Sequence, residues 1–321
     1  SPQGLMPEIK GQEMMRHLGD LPADYELEVH DILQMDSSNL QAQEWQLIAR
    51  TIAAEHEGFD GIVITHGTDT MAYTASALAY MLRNFPKPVV LTGSQLPIHH
   101  PLTDAKSNLY LALAMASSKI PGVFVAFANE VILGTRAVQV RTLDFEAFDS
   151  INLPPLARAN SIGLDFNQDV LEQVKHYYNP DEDFCLKDEI STDVFLMKLT
   201  PGLRPEVFAP LVQLGYKAFY LEAFGIGGIH YLHHDLVTTL DHLIKQGIHV
   251  VVGSQCLYER SDFSIYDTGR RLLEIGAIEA FDMTSEAAFV KLMWSLAQTS
   301  NENVPRLFMQ DLAGEVRVRK S

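Results

Sequence analysis

Basic residues are scarce in this chain: 24 Lys and Arg stand against 41 Asp and Glu, a formal net charge of −17 at pH 7. Nucleic-acid binding leans on Lys and Arg contacts to phosphate, and no basic cluster or RNA-binding signature offsets the balance. The composition therefore speaks against a phosphate-rich partner. Cysteine is scarcer still: Cys185 and Cys256 are the only two, too few for a disulfide framework, and reduced cytosol is the expected setting. No apolar run approaches the roughly 20 residues that span a bilayer. The first twenty residues hold no signal-peptide hydrophobic region. Acidity of this degree is read as solubility.

What is present is a globular composition, 47% hydrophobic and 20% charged over 321 residues, a length that suggests two domains at roughly 150 residues each. The dominant rhythm is strand, turn, helix. "ELEVHDILQMD" (26–36) alternates like a strand, and "QEWQLIARTIAAEH" (43–56) puts Trp45, Ile48, Ile52 and Thr51 on one helical face. "DGIVITHG" (60–67) and "PVVLTGSQ" (88–95) are short, β-branched apolar runs typical of buried parallel strands. A helix is expected over 71–84, a second one opened by the Thr103-Asp104 cap, and two strands or a hairpin over 122–136. Between about 150 and 192 Pro, Asn and Asp break the periodicity. The rhythm then resumes with strands at 193–202, 217–228 and 248–256 and helices from Pro205, from Asp235, near 266–275 and over 285–296. The expectation is an α/β protein: a larger N-terminal domain (1–156) with a mostly parallel sheet and helices on both faces, a linker (157–192), and a smaller C-terminal α/β domain (193–321).

The stretch "ITHGTDTMAYTASAL" (64–78) turns from strand to helix within a few residues. Open α/β sheets bind ligands outside the carboxyl ends of their strands. Gly67 lets backbone and ligand approach closely, and the helix that follows offers free N–H groups. The ordinary use of Thr68, Asp69 or Thr70 at such a place is to cap the helix. "MDSSN" (35–39) and "TGSQ" (92–95) put more small hydroxyl and amide residues at strand ends. Each alone is turn chemistry; the three together point to a polar pocket for a small amino-acid-like or carbonyl ligand.

Taken in order and spacing, "MDSSN", "HGTDTMAYTASAL", "TGSQLP", "GTRAVQVR", "LPPL", "GIGG", "SQC" and "DMTSEAAFVKLMW" closely resemble bacterial type I L-asparaginases, and the resemblance runs almost from end to end. It implies a cytoplasmic amide hydrolase of two α/β domains, assembled as a dimer or tetramer. L-Asparagine or L-aspartate is the expected ligand, bound with help from a neighbouring subunit. A threonine acyl-enzyme is expected, with no metal or organic cofactor. Carried over residue by residue, Thr68 and Asp69 match the family's second catalytic threonine and its aspartate. Ser37 and Ser38 match the hydroxyls that hold the substrate α-carboxylate, and Gly67 and Ser94 line the same pocket. A threonine hydroxyl needs a base and an orienting group to act at neutral pH, and Asp69 suits the α-ammonium as a charge-assisted partner.

Two departures stand out. The family's first catalytic threonine belongs to a Thr-Gly-Gly-Thr-Ile motif that has no counterpart here. "SPQGLMP" resembles the segment just after it, and a preceding strand and nucleophile loop are expected. Second, the family's catalytic lysine falls on Gln139. Glutamine hydrogen-bonds but carries no charge, and Arg136 and Arg141 stay protonated. Losing a positioned acid–base group costs roughly 10²–10⁴ in rate. The positions aligned with the family's allosteric asparagine site, near Val138 and Glu222, do not resemble the regulated form and leave allostery open.

Other features have plainer uses. His230, His233 and His234, like His99 and His100, lack companions for a metal set and are read as surface histidines. "FGIGGI" fails the dinucleotide spacing and reads as a tight turn. Cys256 is expected to be a small buried residue. Glu259 is either solvated or reaches a neighbouring site. The rivals to an asparaginase are a non-catalytic amino-acid-binding or regulatory paralogue, and an amidotransferase component that feeds ammonia to a partner.

Overall fold

The computed structural model describes residues 10–19, 21 and 25–317. Along the N-terminal part run α1 (Gly11–Leu18), α2 (Ala42–Glu55), β1 (Ile62–Thr65), α3 (Met71–Met81), β2 (Pro88–Thr92), α4 (Ala105–Ala116), β3 (Gly122–Phe127), β4 (Glu130–Leu133), β5 (Ala137–Gln139), β6 (Phe148–Ser150), β7 (Ala157–Asn160), β8 (Gly163–Phe166) and α5 (Gln168–Lys175). The C-terminal part holds β9 (Val194–Lys198), α6 (Phe208–Gln213), β10 (Ala218–Ala223), α7 (Leu236–Lys245), β11 (His249–Ser254), α8 (Asp267–Glu274), β12 (Ile278–Glu279), α9 (Ser285–Gln298) and α10 (Val304–Phe308).

The larger sheet has the order β1-β2-β3-β4-β7-β8, with β1, β2 and β3 parallel and the remaining pairs antiparallel. Because strand side chains alternate, Val89, Leu91, Val123 and Val125 face α2 and α3, while Val90, Phe124 and Ala126 face α4 and α5. Helices thus cover both faces, as the unbroken apolar runs require. The smaller sheet, β12-β11-β10-β9, is parallel throughout. One face, with Phe219, Leu221, Val250 and Val252, meets α6, α7 and α8; Tyr220 and Val251 on the other join the cluster that holds α3 and α9. Helix α9 therefore lies between the two units and is buried nearly all round, Lys291 and Ser295 included.

Several expectations are corrected. Residues 26–36 are extended, and Tyr25 to His30 keep the alternating half-buried and exposed pattern, yet they pair with no strand among the described residues. Strand β1 is an edge strand among those residues, so Ile62, Val63 and Ile64 are half-exposed rather than buried. The segment expected to be a linker over 157–192 begins with the β7–β8 hairpin, which extends the larger sheet through Val131–Ala157, and continues with α5. The helix expected from Pro205 opens as a 3-10 turn. Of the Thr103-Asp104 pair only the threonine serves the start of α4: Thr103 Oγ1 accepts Ala105 N at 3.0 Å, while the Asp104 carboxylate reaches back to Gln95 N and Leu96 N.

Candidate functional site

Thr65 lies opposite Thr92 in the parallel β1–β2 pair, so both chains leave the sheet on one edge, and His66 N donates to Thr92 O at 2.8 Å. The approach is close. A Cβ on Gly93 would collide with the His66 carbonyl and sit 2.9 Å from Met71 Cε, and a Cβ on Gly67 would lie 2.5 Å from Ser37 Oγ. Glycine at both positions lets three segments converge. The "MDSSN" turn joins them: Thr70 Oγ1 donates to Ser37 O at 2.7 Å.

That bond fixes the use of Thr70. Thr70 occupies the N-cap of α3, yet its side chain makes no capping bond. The cap reading fails because the hydroxyl is engaged across the cleft. Thr68 is half-buried and Asp69 exposed, and neither side chain forms a hydrogen bond or ion pair within the described residues. They stand at the start of α3, whose first N–H, Met71 N, donates to Thr68 O at 3.3 Å, a combination that offers a hydroxyl, a carboxylate and first-turn amide donors to a small polar ligand.

The two serines divide. Ser37 is 5% exposed and packs on Gly67. Ser38 is exposed, and both its N–H (2.8 Å) and its hydroxyl (2.7 Å) donate to Asp36 Oδ1. These bonds hold the Asp36 carboxyl below the usual carboxylate range. Ser94 is half-buried just beyond β2. Gln139 ends β5, which packs on α3. Its amide reaches Arg141 O at 3.4 Å, and no hydrogen bond among the described residues joins it to Thr68 or Asp69.

Three residues at this edge have no site role assigned by the sequence motifs. His66 is half-buried between the strand end and α3, with Nδ1 2.6 Å from Gly67 O and Nε2 2.9 Å from Thr74 Oγ1; desolvation pushes its pKa down. Asp104 and Asn108 hold the loop after β2 from below. The first precedes Gly67 in the chain, so only its neighbours signal it. The other two are spaced i, i+4 on α4, and that polar pair on an otherwise apolar helix is the signal that could have found them.

Elsewhere, Cys256 is exposed rather than buried, because it follows β11 into a surface loop. Among the described residues no group of three or more His, Cys, Asp and Glu could hold a metal ion. His233 and His234 are exposed, and His230 Nε2 lies 3.1 Å from Leu203 O. "FGIGG" is a tight turn closed by Gly228 N to Phe224 O at 2.7 Å, with Gly225 and Gly227 at positive φ. Glu259 is exposed and its backbone pairs with the Asn152 amide. Glu222 accepts the Ser285 hydroxyl at 2.7 Å, and the neighbouring Tyr73 hydroxyl is pushed up to about 12 by burial and by Glu286 and Glu222.

A family model described as Asparaginase, N-terminal matches residues 1–172, and one described as Glutaminase/Asparaginase C-terminal domain matches 193–308. The chain is 41% identical to an L-asparaginase of Thermococcus kodakarensis over 291 residues, 90% of this chain and 86% of that protein. It is 36% identical to one component of the glutamyl-tRNA(Gln) amidotransferase of Pyrococcus abyssi, over 87% of this chain but only 64% of that protein's length. Among solved structures, the thermostable L-asparaginase from Thermococcus kodakarensis superposes with a TM-score of 0.90 at 36% identity, covering 99% of this chain and 95% of the other. L-asparaginase I from Vibrio cholerae gives 0.83 at 34%, covering 95% and 92%. With both halves matched and the same two-unit α/β fold, this chain belongs to the asparaginase/glutaminase family.

Proposed function

We propose that this protein hydrolyses the side-chain amide of L-asparagine to L-aspartate and ammonia, as a cytoplasmic homo-oligomer of the type I kind. The observation that carries the reading is the corner at the ends of β1 and β2, where Thr68 and Asp69 stand free beside the first amides of α3 while Thr70, Gly67 and Ser37 lock the turn behind them. Asp69 takes the α-ammonium, and the Ser38 hydroxyl, turned from Asp36, takes the α-carboxylate with the turn that Ser37 anchors. Both exposed thiols, Cys185 and Cys256, are free, which suits a reducing compartment.

In the reaction a threonine hydroxyl oxygen adds to the side-chain carbonyl carbon, the C–N bond breaks, and the nitrogen leaves as ammonia with the hydroxyl proton. Water then adds to the ester, and its proton returns to the threonine oxygen as aspartate departs. Thr68 orients the water and passes the proton. None of the motifs in this sequence supplies the acylated threonine. Gln139, at the position of the family lysine, carries no charge and leaves Thr68 and Asp69 without a cationic partner from β5, so turnover is slow. That same substitution favours the second reading, a binding protein for aspartate or asparagine. The similarity to the amidotransferase component supports a third, in which ammonia passes to a partner protein.

Ammonia release from L-asparagine by the protein and by Gln139→Lys, run beside calorimetric binding of L-aspartate, separates these. A gain of about 10²–10⁴ in rate with Lys supports the hydrolase. Two inert but aspartate-binding proteins support the receptor, and turnover only with a partner protein supports the amidotransferase.

A further inference from the structure

Asp104 is buried at the start of α4, yet none of its bonds serves as a side-chain cap for that helix. Its carboxylate accepts Gln95 N on both oxygens (3.1 and 3.0 Å), Leu96 N at 3.1 Å and the Asn108 amide at 3.1 Å. Asn108 is buried one turn on. Its amide also donates to Gly93 O at 3.0 Å, and its carbonyl accepts Ala128 N at 3.0 Å from the turn after β3. Every hydrogen-bonding site of that amide side chain but one is assigned a direction by these partners.

The two side chains grip the peptide groups on either side of a single residue. Gly93 O is held by Asn108, Gln95 N by Asp104, and Ser94 lies between them. Ser94 itself makes no hydrogen bond to another described residue through N–H, C=O or hydroxyl. The clamp extends sideways as well: the Gln95 side-chain amide donates to Asp144 O at 3.0 Å, in the loop between β5 and β6 that follows Gln139. On the other side Gly93 abuts the His66 carbonyl next to the Thr68 turn.

We infer that Asp104 and Asn108 are a positioning pair that presents the free polar groups of Ser94 to the ligand, an inference that rests on the amino-acid-binding reading of this site. The carboxylate is required rather than an amide. All four contacts come from three donors, Gln95 N–H, Leu96 N–H and the Asn108 amide, and an Asn side chain would turn an NH2 toward at least one of them. A loop tied so completely while its central residue is left free is pre-organised, so the ligand does not have to order it.

The test is L-aspartate affinity by calorimetry on the folded protein, with Asp104→Asn, Ser94→Ala and the double variant. The expected result is a loss of at least about tenfold for Asp104→Asn, with faster hydrogen exchange at the Gln95 and Leu96 amides. The double variant should lose less than the product of the single losses, because one residue acts through the other. If Asp104→Asn does not fold, Asn108→Asp, which removes the donor to Gly93 O, carries the same expectation. A folded Asp104→Asn with affinity within about twofold of the parent overturns the pair's role and leaves the binding reading intact. A parent that binds no aspartate overturns both.

Discussion

The ring of His66 accepts a hydrogen bond from the Thr74 hydroxyl. Trp45 Nε1 donates to Thr74 Oγ1 at 3.0 Å, so the hydroxyl must direct its own hydrogen elsewhere, and His66 Nε2 is 2.9 Å away. The other ring nitrogen faces the Gly67 carbonyl at 2.6 Å, which only accepts, and therefore carries hydrogen. The chain Trp45–Thr74–His66–Gly67 fixes a neutral imidazole and, through it, the carbonyl one residue before Thr68. Buried polar groups satisfied in series in this way rigidify what they hold.

Acid should loosen this corner. Burial lowers the pKa of His66 from its ordinary 6.5, with the Gly67 bond opposing. Below pH 6.5 the unfolded chain binds a proton that the folded one does not, so stability is lost as pH falls from there to the lower folded value and is unaffected above it. Urea midpoints at about pH 7.5 and 5.5 should show a larger drop for the parent than for His66→Gln. Equal drops would remove His66 from the acid response.

Thr74→Val keeps the shape of the side chain and deletes its hydroxyl. It leaves the Trp45 N–H and the His66 Nε2 lone pair buried without partners, at about 1–3 kcal/mol each. A loss of about 2–4 kcal/mol in chemical denaturation is expected, while Thr74→Ser should stay within about 1 kcal/mol because it keeps the bonds.

The two glycines of the corner should differ in tolerance. At Gly67 an added methyl meets Ser37 Oγ, which can rotate, and Ser37 Cβ at 2.8 Å, which moves only with the short 35–39 turn; at Gly93 it meets the His66 backbone carbonyl, which cannot move without β1. Overpacking typically costs about 1–3 kcal/mol. Gly67→Ala is expected at the low end, with weakened aspartate binding, and Gly93→Ala at or beyond the high end. Thermal unfolding of both, side by side, checks the order.

Lys291 on α9 and Glu315 near the C-terminal end are both fully buried and ion-paired. Glu315 also accepts Leu312 N at 3.0 Å and Ala313 N at 2.7 Å, which folds the C-terminal segment against α9. Lys291→Met strands a buried carboxylate and should cost about 3–5 kcal/mol, with Lys291→Met/Glu315→Gln recovering part of it. A single-variant loss below about 1 kcal/mol would mean that water already reaches the pair.

What could be read from the chain was what local chemistry controls. The helix over 42–55 was legible from Trp45, Ile48 and Ile52 recurring on one face. The buried β2 was legible from an unbroken apolar run, and α9 from the pattern of "SEAAFVKLMWSL". The β7–β8 hairpin was not, because "ARAN" and "GLDF" carry Arg158, Asn160 and Asp165 along a sheet edge and become strands only by pairing with β4. In 26–30 the opposite holds: alternation is genuine, but a strand also needs a neighbour, and sequence cannot supply one.

At the site, local turn chemistry explains which residue types stand at the strand ends: Gly67, Thr68, Asp69 and Ser94 suit strand-to-helix turns of small polar composition. Their roles were decided in three dimensions. Thr70 reaches across to Ser37 instead of capping its helix, Ser37 is buried while Ser38 is exposed, and Asp104 abandons its cap for the loop that carries Ser94. The physical reason is common to Thr70 and Asp104. A short polar side chain has a local backbone partner and a distant one of similar worth, about 1 kcal/mol net, and only the packing of the strand ends brings the distant one within hydrogen-bonding reach.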